Sequence, residues 1–272
     1  MSRLGLAALC FLLVLRVAPA LGQCESSPWV GVWPSAQIET IQPRQLLVIG
    51  AGTSYLDQEI RRIDHDTRVW LWSTHDSVPL VIKDRLVNQD NYITLLLQPS
   101  RPLLLDSVYE LKAWNNNENM YWLFHNGQKP KNGLKPKSPK STNYRWRVAA
   151  VPDTQAPIWH NTPTVVKKVF SDNSEGTENY VLFSCPLSDA SSYIVKATVH
   201  HIHSGLKNTT YLHSWEGQLA VGWFTCGGDF RFASEEECTV VFEAIDDAGN
   251  RSSASGRPIP FQAPVIGPTP WH

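Results

Sequence analysis

The chain has 272 residues, of which 42% are hydrophobic and 18% are charged, and its formal net charge is −1. This length accommodates two domains of about 100–120 residues each. The near-neutral charge argues against a nucleic-acid-binding protein, because such proteins usually carry a strongly basic domain. Nineteen Pro and sixteen Gly, against two Met, favour a turn-rich β protein over a helical one.

The N-terminus has the features of a secretory signal. Arg3 precedes an apolar run at 4–15, and small residues follow at Ala18, Ala20 and Gly22. Such a run is too short to cross a bilayer. We therefore predict a signal peptide at 1–22 and a secreted, extracellular protein, at the cell surface or in the periplasm if the source is bacterial. No later apolar run is long enough for a transmembrane helix.

Four cysteines follow the signal, which suggests two disulfides with three alternative pairings. A strand that ends near Cys226 and a strand that starts at Cys238 favour the pair Cys226–Cys238. This leaves Cys24–Cys185 by elimination. Cys24 has an alternative use as the lipid-modified first residue of a bacterial lipoprotein. Gln23 argues against that use, because lipidation signals place a small residue before the cysteine.

The first domain is predicted at 23–151 and is built from short strands separated by turns. The segment 50–52 is interpreted as the turn that ends its first clear strand. The segment 55–63 is short and charged, and it fits a helix or a loop equally well. The strand candidates are 46–49, 68–73, 80–82, 92–97 and 144–148.

A motif at 102–113 gives the most specific signal in this domain. Pro102 is followed by Tyr109, Leu111 and Ala113 at alternate positions. The segment resembles a motif line of bacterial immunoglobulin-like domains, with Leu105 where that family often has Pro. The resemblance implies that the three alternating side chains face inward. It also implies that the Tyr109 hydroxyl caps a corner of a sandwich by bonding to upstream backbone.

A segment rich in Lys and Pro lies at 129–140. Three prolines and one glycine exclude a helix or a central strand, so we predict an extended, exposed loop. Its positive charge suggests binding of a polyanion such as a sulfated glycan, and the alternative is a solvated, flexible loop. The five lysines are Lys129, Lys131, Lys135, Lys137 and Lys140.

The segment 152–157 is predicted to be a linker. It contains Asp153 and ends at Pro157, and it resembles the Asp-x-x-x-Pro joint between tandem domains of surface proteins. Proline favours an extended linker. The second domain is predicted at 158–263, followed by a flexible tail at 264–272. Its strand candidates are 165–170, 180–184, 192–201, 210–215, 218–224, 238–245 and 259–261.

The last long strand of the second domain places Val240, Phe242 and Ala244 on one face, and a turn follows in which Gly249 can take positive φ. The pattern Ala-x-Asp-x-Ala-Gly-Asn-x-Ser at 244–252 resembles the penultimate strand and turn of immunoglobulin-like and fibronectin-III-like sandwiches. Together with the motif at 102–113 and the joint, it implies an all-β fold of two tandem sandwiches of these types.

Two acidic residues stand in that turn. Asp246 and Asp247 are interpreted as turn residues whose carboxylates accept backbone N–H bonds. The alternative is that they help to bind Ca²⁺, although the sequence shows only one oxygen-rich loop.

His200, His201 and His203 form the one dense group of metal-capable side chains. On a strand His201 and His203 share a face, and His213 on the next strand could lie opposite. A closed site needs further ligands that the sequence does not supply. We therefore predict no metal and no cofactor, and we interpret these histidines as polar residues on an exposed strand.

Two acceptor sequons begin at Asn208 and Asn250, and both are predicted at accessible loops or turns of a glycoprotein.

Motifs for serine hydrolases, zinc proteases, phosphate loops and dinucleotide binding are absent from the sequence. We expect a non-catalytic recognition or adhesion module that binds an unknown protein or glycan. The alternatives are a structural spacer or envelope-associated protein, and an enzyme or inhibitor that uses exposed loops. The fold does not decide among them, because sandwiches host many functions.

Overall fold

The computed structural model describes residues 30–51, 54–115, 118–124, 144–173, 176–225, 227–254 and 256–267. In these ranges strands dominate, alongside one α-helix and one short 3₁₀ helix, which confirms the all-β prediction. Among the described residues, no helix is both long and apolar enough to cross a membrane. The predicted signal peptide at 1–22 and the Lys/Pro-rich loop at 129–140 lie outside the described residues, so both stay predictions.

The first part of the chain forms one continuous sheet that folds over on itself. The strand order is β1-β3-β6-β5-β4-β7-β9-β2, with β8 beside β7. Helix α1 (Ser54–Arg61) follows β3, and the 3₁₀ helix spans Tyr121–Phe124. The strands are β1 (Val30–Trp33), β2 (Thr40–Ile41), β3 (Leu47–Ala51), β4 (Thr67–Trp72), β5 (Ser77–Val87), β6 (Ile93–Pro99), β7 (Val108–Asn115), β8 (Glu118–Asn119) and β9 (Arg145–Val148).

Strand β5 belongs to both layers of this sheet. Its beginning pairs with β4, and its remainder pairs with β6 across a register shift between Ile82 and Asp84. Side chains from both layers, together with Leu56 and Ile60 of α1, therefore enclose one hydrophobic core. Because Leu56 and Ile60 are four residues apart, they lie on the same face of the helix. This arrangement is a β-sandwich, which we call the N-terminal sandwich.

The alternating motif on β7 behaves as predicted. Tyr109, Leu111 and Ala113 are all buried in the core. The Tyr109 hydroxyl accepts a hydrogen bond from the Leu104 N–H at 3.2 Å and donates one to Asp76 Oδ2 at 2.6 Å. Burial raises the pKa of Tyr109. The hydroxyl thus ties β7 to two upstream segments, which confirms the corner.

We expect Tyr109→Phe to lower the free energy of unfolding by about 1–3 kcal/mol, because the Leu104 N–H and the largely buried Asp76 carboxylate each lose a partner. Urea unfolding followed by tryptophan fluorescence measures this change. Tyr180→Phe is the control, since the ring of Tyr180 makes its contact with Phe224, at 4.9 Å between centroids. An equal loss in both variants would contradict a specific role for the corner.

The second part of the chain forms two facing sheets. Their strand orders are β11-β12-β16-β17 and β15-β14-β18-β19, with β20 also paired to β18, and β10 pairs with β13. The strands are β10 (Ile158–Trp159), β11 (Val165–Asn173), β12 (Gly176–Ser184), β13 (Leu187–Ser188), β14 (Tyr193–His201), β15 (Lys207–Leu212), β16 (Gln218–Phe224), β17 (Gly227–Gly228), β18 (Glu237–Asp246), β19 (Arg251–Ser253) and β20 (Ile259–Gln262).

Both sheets contribute to a second core, so this part is also a β-sandwich, which we call the C-terminal sandwich. Val240, Phe242 and Ala244 of β18 are fully buried in it, as predicted. Gly249 has a φ of 93°, which confirms the turn. Each of the seven predicted strands overlaps an observed strand. The predicted turn at 50–52 is wrong at Gly50 and Ala51, because β3 continues through both and pairs with β1.

Candidate functional site

The two sandwiches pack against each other through their outer faces. A third apolar cluster fills this contact, and it joins β3 and β6 of one sandwich to β14, β15 and β18 of the other. Because these side chains are buried on what would otherwise be exposed sheet faces, the contact stabilises one relative orientation of the sandwiches. The cluster consists of Trp33, Leu46, Val48, Leu96, Ile194, Tyr211 and Ile245, with Leu86 packed against it.

A charged group lies beside this cluster. Lys196 Nζ is 2.5 Å from Asp84 Oδ2, and the Tyr211 hydroxyl donates to the same oxygen at 3.1 Å. Burial, followed by the charge of Asp84, raises the pKa of Tyr211. The Asp84 carboxylate thus receives both a charged and a neutral partner from the C-terminal sandwich, which specifies the register of the contact.

The loop between β5 and β6 extends the contact. Asn88 donates to Asp229 Oδ1 at 3.1 Å, and Gln89 Oε1 accepts the Arg231 N–H at 2.5 Å. The Arg231 guanidinium binds both carboxylate oxygens of Asp90, at 3.1 and 3.2 Å. The loop is thereby held against the C-terminal sandwich.

A groove of about 770 Å³ opens between the sandwiches at this place. It lies where β1 and β3 face β15, β16 and β17. Its aromatic lining is Trp33, Tyr92, Tyr211, Trp223 and Phe224. Its polar lining is Asn88, Asp90, Thr94, Thr210, His213 and Asp229.

The two acidic residues of the groove are bound by neighbouring side chains. Arg231 neutralises Asp90, and the Arg231 guanidinium also lies 3.5 Å from the centroid of the Trp223 ring. Burial raises the pKa of Asp229, while hydrogen bonds from Asn88 and Thr210 act in the opposite direction. The groove therefore combines aromatic rings with hydrogen-bonding groups and has little net charge, a composition typical of sites for uncharged polar ligands.

The structure does not bring the three predicted histidines together. His203 is exposed in the turn after β14, and His213 lies at the rim of the groove. The interpretation of His201 as exposed is wrong, because its ring faces the core side of β14 and is only 2% exposed. His201 and His203 do not share a face, since β14 ends at His201 and a turn closed by the Gly205 N–H bond to the His201 carbonyl follows.

His201 instead belongs to a hydrogen-bond network between the sandwiches. Its Nδ1 lies 2.9 Å from Glu236 Oε1, and its Nε2 lies 3.4 Å from Gln89 Nε2. The Cys238 sulfur is 3.9 Å from Nδ1, and these three side chains could hold a metal ion by position. A tautomer with the proton on Nδ1 satisfies both ring nitrogens through Glu236 and Gln89 without an ion. We therefore assign His201 a structural role.

The cysteine pairings stay predictions, because Cys24 and Cys226 lie outside the described residues. Cys185 and Cys238 are buried, and they form no disulfide with each other or with any other described residue. Burial, followed by the charge of Glu236, raises the pKa of Cys238 to about 12. Unless it is paired, this thiol is therefore protonated and unreactive near neutral pH. The polyanion-binding candidates Lys129, Lys131, Lys135, Lys137 and Lys140 also lie outside the described residues.

The sequon asparagines are less accessible than predicted. The loop assignment of Asn208 is wrong, because Asn208 lies in β15, is 8% exposed and pairs with Val199. Asn250 is in the predicted turn, where its side-chain amide donates to Asp246 Oδ2 at 2.7 Å. Its backbone N–H donates to the other oxygen of Asp246 at 2.7 Å, which confirms Asp246 as a turn acceptor. Glycosylation at either position stays a prediction.

Sequence reasoning missed the groove. Its lining comes from six strands and three connecting segments that are distant in sequence, so no local pattern combines them. One available signal was the pair Trp223 and Phe224 at the end of β16, where Phe224 remains 36% exposed. Large aromatic side chains that remain exposed at strand ends often mark contact surfaces.

Comparison with known proteins gives no family assignment. No protein-family model matches the chain, and no curated protein matches it. Among solved structures, pullulanase type I from Bacillus subtilis in complex with maltose is 9% identical over 84% of this chain, with a TM-score of 0.20. A pullulanase from Anoxybacillus in complex with maltotriose is 9% identical over 77% of this chain, with a TM-score of 0.21.

This chain spans 24% and 25% of the lengths of those two pullulanases. The tandem immunoglobulin repeats of Dlar are 12% identical over 87% of this chain and 98% of their own, with a TM-score of 0.23. These likenesses are too distant to carry an argument about ligand or activity.

Proposed function

We propose that the protein is a secreted or cell-surface recognition module, built from two tandem immunoglobulin-like or fibronectin-III-like sandwiches, that binds its ligand in the groove between them. The groove itself carries this proposal. Ligand sites occur preferentially at domain interfaces and combine apolar walls with a few polar groups. A structural spacer needs no such groove.

The lining suggests a neutral glycan as the ligand. Aromatic rings can stack against the apolar faces of sugar rings, and the amide of Asn88 and the hydroxyl groups of Thr94 and Thr210 can exchange hydrogen bonds with sugar hydroxyls. The ion pair of Asp90 with Arg231 leaves little charge to attract an ionic ligand. A polyanion, the other partner suggested by the sequence, would have to bind elsewhere on the surface.

A glycan array that contains both neutral and sulfated glycans, probed with the secreted protein, tests the proposal. We expect binding to neutral glycans that is insensitive to salt, because it does not depend on ion pairs. Phe224→Ala should weaken this binding by about tenfold, which corresponds to about 1.4 kcal/mol. Calorimetry with the best array ligand measures the change.

Trp215→Ala is the matched control, because Trp215 is 75% exposed and lies outside the groove lining. Its removal should leave the affinity unchanged. Binding only to sulfated glycans, with loss at high salt, would point to the Lys/Pro-rich loop instead. Equal effects of the two variants, or no binding to any glycan, would contradict a glycan site in the groove.

A further inference from the structure

Three acidic side chains from three separate segments meet at the joint between the sandwiches. Asp153 precedes β10, Asp189 follows β13 and Asp246 ends β18. One carboxylate oxygen from each lies within 4.8 Å of the other two. The sequence showed only the Asp246 loop as rich in oxygen, and the fold supplies the two further segments.

These carboxylates repel one another, and no cationic side chain among the described residues forms an ion pair with them. Asp246 is fully buried, and Asp153 and Asp189 are half-buried. The Arg and Lys side chains that form ion pairs among the described residues do so with other acidic residues. Buried like charges at this distance are costly unless a cation or protons neutralise them.

A fourth carboxylate gives an independent indication. Asp247 is 3% exposed, and its Oδ1 is buried without a hydrogen-bond partner. Ser191, whose N–H and hydroxyl both donate to Asp189 Oδ1, also lies beside the Asp247 carboxyl. Asp247 therefore lies beside the other three carboxylates, whose charges act on it. A buried, unpartnered carboxylate oxygen in a native protein usually implies an ion or a water molecule that satisfies it.

The surrounding contacts hold the carboxylates in place and leave acceptor capacity. Asn250 donates to Asp246 and to the backbone carbonyls of Asp153 and Gln155, the latter at 3.4 and 3.2 Å. The Asp153 N–H donates to Gln42 Oε1 of the N-terminal sandwich at 3.0 Å. Each carboxylate oxygen has two lone pairs, so oxygens that accept one such bond can still bind a cation.

We propose that Asp153, Asp189 and Asp246 bind a Ca²⁺ ion at the joint, with Asp247 as an adjacent carboxylate. A ligand set made only of oxygen atoms suits a hard cation. Ca²⁺ accepts the irregular geometry of side chains from three loops, whereas Mg²⁺ demands a near-ideal octahedron. The ion links the segment after β9, which is anchored on Gln42, to the turn after β18. It therefore stabilises the packing of the two sandwiches.

Calorimetric titration of the chelator-treated, full mature protein with Ca²⁺ tests this site. We expect one site per chain with a Kd of about 10⁻⁴–10⁻³ M or tighter, a range typical of extracellular modules. The Tm should rise with Ca²⁺ concentration, because the ion binds only the folded state. Mg²⁺ should bind more weakly.

The variants Asp153→Asn and Asp189→Asn keep the side-chain size and remove one charge each. Either should weaken Ca²⁺ binding by at least about tenfold, because affinity depends on the charge of the ligands. Asp106→Asn is the control, since Asp106 is exposed and its positive φ suits Asn. It should bind Ca²⁺ as the parent does.

Circular dichroism shows whether the variants fold. If a variant does not fold, the Ca²⁺ dependence of the Tm of the parent protein tests the site instead. The absence of both a binding heat and a Tm shift at millimolar Ca²⁺ would overturn the proposal. Undiminished binding in the double variant of Asp153 and Asp189 would overturn it equally.

Discussion

Phe242→Ala is expected to lower the free energy of unfolding of the C-terminal sandwich by about 3–5 kcal/mol, because it removes a ring from a closely packed core. Phe242 is fully buried at the centre of β18, and its ring lies 5.3 Å from that of Phe183 in an edge-to-face arrangement. A third ring, Phe261 of β20, also packs edge-on against Phe183. The truncation therefore leaves a cavity between both sheets, and chemical unfolding at equilibrium measures its cost.

Val241→Ala is the matched control on the same strand. Val241 points to the opposite face of β18 and is 37% exposed. We expect its truncation to cost less than about 1 kcal/mol, as for most surface substitutions. A cost for Phe242→Ala as small as that of Val241→Ala would place Phe242 outside the core.

The sequence predicted β18 and the corner because both signals are local. Alternation at Val240, Phe242 and Ala244 identifies the buried face of a strand. The resemblance of the motif at 102–113 to a line of bacterial immunoglobulin-like domains implies the corner at Tyr109. In the sequence the segment 55–63 fits a helix or a loop equally well, because it is short and charged, and the structure has helix α1 there.

The contact between the sandwiches had a weaker signal in the sequence. Ile245 and Leu96 are apolar at positions that alternation assigns to outer sheet faces, and both are buried in that contact. An apolar outer face indicates that something covers it, although it does not identify the covering segment. Only the fold identifies the covering segment. In the same way, only the fold shows the contact between Lys196 and Asp84, which are 112 residues apart in the sequence.

Two of the errors concern polar residues for which the sequence predicts exposure. Sequence reasoning assigns Asn208 to an accessible loop and interprets His201 as a polar residue on an exposed strand. His201 is buried because Glu236 and Gln89 satisfy its ring nitrogens. Asn208 is buried at the β14–β15 edge of the groove-side sheet, where strand pairing continues through it. The burial of His201 thus depends on partners that only tertiary structure supplies, whereas Asn208 Nδ2 is buried without a hydrogen-bond partner among the described residues.

The groove and the cluster of Asp153, Asp189 and Asp246 both lie at the contact between the sandwiches. The geometry of both features therefore depends on how the sandwiches pack. If Ca²⁺ stabilises the contact, removal of the ion should also loosen the walls of the groove. The loop between β5 and β6 is held by Arg231 rather than by the ion. Glycan binding should therefore weaken, rather than disappear, in chelator.

In chelator, the stability of the protein is expected to depend on the ionisation of Asp247. Burial, followed by the charge of Asp246, raises the pKa of Asp247 to about 7, and the charges of Asp153 and Asp189 add to this increase. Between the unfolded pKa near 3.8 and this value, the folded state binds more protons than the unfolded state. The contribution of Asp247 to stability is therefore full below about pH 4 and is lost as the pH rises towards 7.

Asp247→Asn removes this titration and retains a neutral side chain of the same size. At pH 8 in chelator the variant should be more stable than the parent by about 2–4 kcal/mol, the free energy of a shift of this size with allowance for partial solvation. Near pH 4 the two proteins should be almost equally stable. Guanidinium unfolding at both pH values measures the difference, and Asp106→Asn should show no such change with pH.

A difference in stability that is the same at both pH values would mean that the Asp247 carboxyl titrates normally. Addition of Ca²⁺ at pH 8 should stabilise the parent more than the variant, because only the parent then gains an ion beside an ionised Asp247.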